Sequence, residues 1–337
     1  MVRRGSAAGK GERGRPERSG GPPAPADPAV APDRRIWVNG ELVPWPEATL
    51  HVLSQSAARG SLVFDVMPCY ELPDGPAIFG LREHSERFVR SAELSGMQLP
   101  LGLDAILQAI AETVRANPGT EIVKINAYHP GISLDVLPID PEPSIAIAAF
   151  AIADVLPGAG SVEPRRLPPA RLQVADVRKM PAWVQPPQAK LAAGYLYSSL
   201  AKQRARKEGF DDVLLLDERG EIAESSTQSF FLVLEGALWT APVETVLAGI
   251  TRCCVLELAD DEGFPVKEAR LPAERLLEAE EAFLSGTTTS LWPVARIDAR
   301  TLPPPVPGPL TRRLIERMER LLAGDDPQFS PRWMQRV

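Results

Sequence analysis

Lys190 stands where a Pro-rich irregular stretch, Pro186-Pro187-Gln188-Ala189, gives way to a predicted helix at Leu191. A lysine amine attacks a carbonyl only after losing its proton, and a low-dielectric setting favours the neutral form. The prolines and the apolar Leu191-Ala192-Ala193 could supply that setting. Further along, Glu224 ends a predicted strand after a tight turn, in Gly220-Glu221-Ile222-Ala223-Glu224-Ser225, and offers a carboxylate. Gly249-Ile250-Thr251-Arg252 opens a predicted helix. The free N–H groups and partial positive charge of a helix start suit an anion, and the Thr251 hydroxyl adds a donor. The run Ser285-Gly286-Thr287-Thr288-Thr289 offers backbone and hydroxyl donors, and Arg82 and Arg87 frame Glu83-His84-Ser85-Glu86. His51, His84 and His129 are widely spaced, and no Cys/His cluster has metal-ligand spacing. There is no G-x-S-x-G elbow, no G-x-G-x-x-G and no Walker loop.

The elements that must position these residues follow from periodicity and turn signals. Ile36-Trp37-Val38 and Glu41-Leu42-Val43 read as a hairpin across Asn39-Gly40. Helices are predicted over 82–95, with Gly96 as a stop, and over 103–115, with Ile106, Ile110 and Val114 at helical spacing. Strand-like runs follow at 121–128 and 144–152, the second apolar throughout. Pro157, Gly158 and Gly160 mark 154–163 as a connector. Beyond it come a strand at 172–177, a Pro-rich irregular segment at 179–190 and a helix at 191–207. Hairpins at 213–216/221–223 and 229–234/237–240 precede a helix at 251–262, with Thr251 as its cap and Gly263 as its end. A strand at 266–271, a short helix near 272–278, a strand at 282–284 and a last helix at 311–322 complete the reading. Interleaved helices and hairpins indicate an α/β (α+β) fold with two subdomains. The expected boundaries are an extension at 1–35, a small domain at 36–153, a linker at 154–163, a large domain at 164–323 and a tail at 324–337.

In this order and at these separations the segments resemble the class IV (fold type IV) aminotransferases, the family of branched-chain and D-amino acid aminotransferases, over roughly residues 36–300. The resemblance implies pyridoxal 5'-phosphate (PLP) between a small N-terminal and a larger C-terminal domain, with Lys190 as its Schiff-base lysine. Tyr195 matches the tyrosine that bonds the PLP phenolic oxygen, although Ala193-Gly194 stands where Gly-Asn is usual. Glu224 matches the carboxylate set against the ring nitrogen, with Ser229 in place of the usual Asn. Gly249, Ile250, Thr251, Thr287 and Arg87 match the phosphate contacts, with Ala248 replacing a proline. The substrate side departs from the pattern. Arg59 lies where the branched-chain enzymes usually have tyrosine, Asp65-Val66 where they have Glu-Gly, and Ile122-Val123-Lys124 where they have Tyr-x-Arg. Arg59, Phe64, Lys124, Thr288 and Thr289 are therefore the expected substrate residues of an altered pocket. The resemblance also implies a homodimer and an exchange of amino groups between an amino acid, branched-chain-like or a specialised-metabolite amine, and a 2-oxo acid. Two alternatives stay open: a PLP lyase resembling aminodeoxychorismate lyase, which Lys124 keeps alive, and a non-catalytic relative.

Bulk properties agree with a soluble globular chain of 337 residues, 44% hydrophobic and 24% charged. Residues 1–35 carry eight basic and four acidic groups, net +4, which leaves −11 on the rest of a chain whose total is −7. An acidic body argues against a nucleic-acid partner, and the Gly/Pro/Arg-rich head reads as a disordered extension. The three cysteines, Cys69, Cys253 and Cys254, make no disulfide framework, so a reducing cytoplasm is expected. No apolar run reaches the roughly 20 residues a membrane span needs, and the first residues lack the apolar core expected of a secretory signal.

Overall fold

The computed structural model describes residues 33–155 and 167–337. The extension through residue 32, and the expected linker from residue 156 on, lie outside the described residues.

Two sheets organise the chain. The first has the order Met334–Arg336, Gly75–Phe79, Leu62–Leu72, Ile122–Tyr128, Ser144–Phe150, Arg35–Val38, Glu41–Pro44. Its N-terminal hairpin turns where expected, because Asn39 and Gly40 take φ of 48° and 102°, which an asparagine and a glycine tolerate. Helices Leu81–Leu94 and Leu103–Ala116 cover one face. Phe88, Ile106 and Ile110 from the helices meet Val63, Met67, Ile125 and Ile147 from the strands in one core. The run at 144–150 alternates buried and half-buried positions, so its second face is only partly covered.

The second sheet runs Val266–Glu268, Ala237–Thr240, Ser229–Leu234, Glu281–Gly286, Ser290–Ile297, Ala170–Arg178, Asp212–Leu216, Ile222–Ser225. A pairing of Ser229 with Glu224 joins the last strand back to the third and closes the intervening strands into a ring. The strand Ser229–Leu234 is buried on both faces. Phe230 and Leu232 point into the ring's core with Leu172, Leu214 and Leu284. Phe231 and Val233 face outward against helices Ile250–Asp261 and Pro309–Leu322. This outer core also takes in Leu72, Ala77 and Phe79 of the first sheet and so joins the two lobes.

Several elements differ from expectation. The strand Leu62–Leu72 gives no clear sequence signal because Asp65 and Pro68 interrupt its apolar run. The helix expected from 191 begins as a tight 3-10 turn, Ala192–Tyr195, before the α-helix Leu196–Lys207. Thr251 does not cap its helix: Gly249 does, and Thr251 is the second helical residue. Residues 324–337 read as a tail, yet Met334–Arg336 forms an edge strand on Gly75–Phe79. Trp333 is fully buried, stacks on Phe79 at 5.3 Å and donates its indole N–H to Glu257 at 3.1 Å. Trp333→Ala should therefore cost about 3–5 kcal/mol, the usual range for emptying a buried aromatic site, read as a lowered midpoint in chemical denaturation.

Candidate active site

The backbone of Lys190 is tied down on both sides. Its N–H donates to Ser91 Oγ at 3.0 Å, and its carbonyl accepts from the Phe64 N–H at 3.2 Å. Leu191 then bridges to Val63. This lysine of the large lobe is thus tied to strand Leu62–Leu72 of the small one. Its Nζ donates to the Tyr195 hydroxyl at 3.0 Å and lies over the Phe64 ring, 5.0 Å from the centroid. Phe64 and Tyr195 pack at 5.4 Å. Burial, and after it the Arg87 charge, lowers the Lys190 pKa to about 8. The Tyr195 hydroxyl moves the other way: burial first, then Glu224, raises its pKa, so it keeps its proton.

Glu224 reaches the same pocket from the closing strand of the second sheet. One oxygen accepts from Lys179 Nζ in a short contact, and the other faces the Leu247 N–H at 3.4 Å. Lys179 is buried, which works against its charge; Glu224 and then Tyr197 outweigh this, and its pKa rises. Sequence reasoning does not single out Lys179. It follows the strand Ala170–Arg178 in an irregular segment without periodicity, and only the fold brings it to Glu224.

On the far side, helix Ile250–Asp261 begins at Gly249. A Cβ at Gly249 would stand 2.9 Å from Ser229 Oγ, so any side chain there would have to displace the Ser229 hydroxyl. Thr251 is buried in the first turn. Arg87 reaches this loop from the small lobe, donating Nη1 to the Ala248 carbonyl at 3.1 Å. Its other edge is bidentate to Asp65, Nε at 2.8 Å and Nη2 at 2.7 Å. Asp65 also accepts from the Val66 N–H at 2.8 Å and meets His84 Nδ1 at 2.7 Å. Burial opposes ionisation of Asp65, but Arg87 and then His84 overcome it and hold its pKa well below the usual carboxylate range. The sequence reading names Asp65 only as a departure from the family pattern and His84 only as a lone histidine, not as partners of Arg87. The available signal is an acid in mid-strand among apolar neighbours, facing a His and an Arg at i, i+3 on one helix.

The remaining candidates are spread around this centre. Lys124, half-buried, lies 5.3 Å from the Phe64 centroid on the same ring as Lys190. Burial and then Lys190 lower its pKa. Thr287 and Thr289 are half-buried and Thr288 is exposed in the turn after Glu281–Gly286. Thr289 Oγ1 donates to Gln228 Oε1 at 2.7 Å, so its hydroxyl is already engaged. Arg59 is exposed and donates only a long 3.4 Å bond to the Leu134 carbonyl. The structure does not bring it to Lys190; its neighbour Gly60 packs on Ala193 instead. Among the described residues no cluster could hold a metal ion.

A neutralisable amine, a carboxylate across the pocket from it, and a glycine-opened helix start beside an arginine fit an aromatic aldehyde bearing a phosphate. That arrangement defines a two-lobed enzyme of the fold type IV class. Residues 62–297 match the family described as Amino-transferase class IV. The branched-chain-amino-acid aminotransferase of Pseudomonas aeruginosa is 30% identical over 293 residues, 87% of this chain and 94% of that protein. The branched-chain aminotransferase of Thermoproteus uzoniensis, solved with norvaline, superposes with a TM-score of 0.80 at 34% identity, covering 90% of this chain and 98% of that one. The branched-chain amino acid aminotransferase of Thermobaculum terrenum, solved in its PLP form, gives a TM-score of 0.80 at 29% identity, over 90% and 98% of the two chains. The chain belongs to the class IV aminotransferases and is a PLP-dependent transaminase.

Proposed function

We propose that this enzyme moves an amino group from a branched-chain-like amino acid to a 2-oxo acid, acting as a cytoplasmic homodimer. The observation that carries the site assignment is the Lys190 amine bonded to the hydroxyl of Tyr195, which lines one pocket together with Glu224. PLP bound there supplies an aldehyde and a ring that withdraws electrons from the carbon losing its proton. Lys190 is the attachment point and the base. With a pKa of about 8, a fraction of its Nζ is free amine at neutral pH, able to take a proton from the substrate and return it. Tyr195, protonated, steers Nζ and would meet the phenolic oxygen. Glu224 would accept from the ring nitrogen and keep it protonated. The N–H groups of Ile250 and Thr251, with Gly249, Arg87 and Thr287, would hold the phosphate. Phe64 walls the amine from water.

Lys124 and the backbone around Thr288 and Thr289 would receive the substrate carboxylate, with Phe64 as the apolar wall and Arg59 at the rim. The relatives named above are aminotransferases, so the lyase alternative is not favoured, and the intact Lys190–Tyr195 pair argues against a non-catalytic protein. The homodimer is supported by large apolar side chains left in solvent on two loops joined by the Ser54–Ile132 bridge, among them Val52, Leu134, Val136 and Ile139, at 78%, 97%, 72% and 80% exposure. The cytoplasm is supported by three unpaired cysteines, and no described helix is long and apolar enough to cross a membrane.

The test is a panel of L- and D-amino acid donors, followed by the cofactor's absorption change in single turnover. A response to L-leucine, L-isoleucine or L-valine at least about tenfold above other donors is expected, since one methylene in an apolar pocket is worth roughly 10–200-fold. Preference for a D-amino acid or for an amine without a carboxylate would overturn the branched-chain reading and leave transamination standing.

A further inference from the structure

We propose that Lys179 is a positioning residue for the cofactor ring: it clamps one oxygen of Glu224 so that the other is presented to the ring nitrogen. This rests on the PLP reading above and adds a residue to it.

The fold builds the clamp from the strands Ala170–Arg178 and Ile222–Ser225, which flank Asp212–Leu216 on either side. The Lys179 N–H donates to the Leu216 carbonyl at 2.8 Å, just past the pairing of Arg178 with Leu216. Leu216 pairs in turn with Ile222, two residues before Glu224. Lys179 and Glu224 therefore meet across that middle strand, with side chains 10% and 15% exposed. Both line the pocket that Tyr195 and Tyr197 also line. Of the two carboxylate oxygens, one takes the ammonium, while the other has only the long 3.4 Å contact with the Leu247 N–H and so has acceptor capacity to spare. Glu224 sits where the sheet ring closes, opposite Ser229 and one residue from the end of its strand. A buried ion pair adds little net stability over apolar packing. Its use here is geometric: the ammonium removes rotameric freedom from Glu224 and supplies counter-charge when the ring is not bound.

The experiment compares wild type, Lys179→Met and Lys179→Arg as apoproteins, titrated with PLP and with the PLP analogue in which C–H replaces the ring nitrogen. Binding is followed by quenching of intrinsic fluorescence. Lys179→Met should bind PLP at least about tenfold more weakly, the scale of a hydrogen bond to a charged group, and bind the analogue as wild type does. Lys179→Arg, which keeps the donor and the charge, should return PLP binding to within about threefold. Equal weakening for both ligands would show a merely structural role and overturn the proposal, as would unchanged or tighter PLP binding. If the methionine variant does not fold, Lys179→Gln takes its place under the same two outcomes. A wild-type chain that bound neither ligand would instead refute the PLP reading, before any variant is compared.

Discussion

Lys190→Ala is expected to lose turnover by about 10⁴-fold or more, the upper range for removing a positioned acid–base group, while unfolding at nearly the wild-type midpoint. The separation of the two effects follows from the geometry. The backbone of Lys190 is fixed by its own N–H on Ser91 and its carbonyl on Phe64, and alanine keeps both bonds. What alanine removes is an amine that burial and Arg87 have driven toward its neutral form. The pH dependence has a definite sign. A lysine whose pKa is lowered to about 8 gains free amine as pH rises through that value, so capture of PLP by wild-type apoprotein should accelerate between about pH 7 and 9 and then level off. Stopped-flow absorbance checks the profile, and single-turnover assays check the variant. A variant that retains a tenth of wild-type turnover would remove Lys190 from the chemistry.

Part of this site is legible in the sequence, and the parts that are not share a cause. Lys190 and Tyr195 are five residues apart, and a 3-10 turn between them suffices to join amine and hydroxyl, so a local motif carries the pair. The hairpin at Asn39-Gly40 is legible because glycine has a conformational job there that few residues share, and the helix start at Gly249 because a small residue lets the chain pass close to Ser229. Lys179 and Asp65 are not, because each acquires meaning only through a partner distant in sequence: Lys179 through Glu224, 45 residues on, and Asp65 through Arg87, 22 residues on. The strand Ser290–Ile297 is hidden by Pro293, and Met334–Arg336 is too short and polar to signal that it completes the first sheet. Arg59 is a different case. Its position in the family pattern suggests a substrate contact, while in this structure its exposed side chain bonds the Leu134 carbonyl and does not approach Lys190.

Asp65→Ala should be the most destabilising single change near the site, at about 3–5 kcal/mol, because it leaves a buried guanidinium without its counter-charge. Arg87 loses both bonds of its bidentate edge, His84 loses its Nδ1 partner, and the Val66 N–H loses its acceptor. The loss also changes the response to pH. The Asp65 pKa is depressed in the folded state, so its contribution is complete above the unfolded carboxyl value, about pH 4, and fades as pH falls toward the folded value. Wild type should therefore lose stability on acidification over a range where Asp65→Ala, having no such group, loses less. Arg87 adds a second signature. It reaches the loop before Gly249, so an anion seated at that helix start can replace the missing carboxylate. Inorganic phosphate should then raise the melting temperature of Asp65→Ala by more than it raises that of wild type, since binding to the folded state alone stabilises it more the tighter the binding. Equal phosphate shifts in the two proteins would mean that Arg87 does not serve the phosphate cradle, and that the buried Asp65–Arg87 pair only holds the two lobes together.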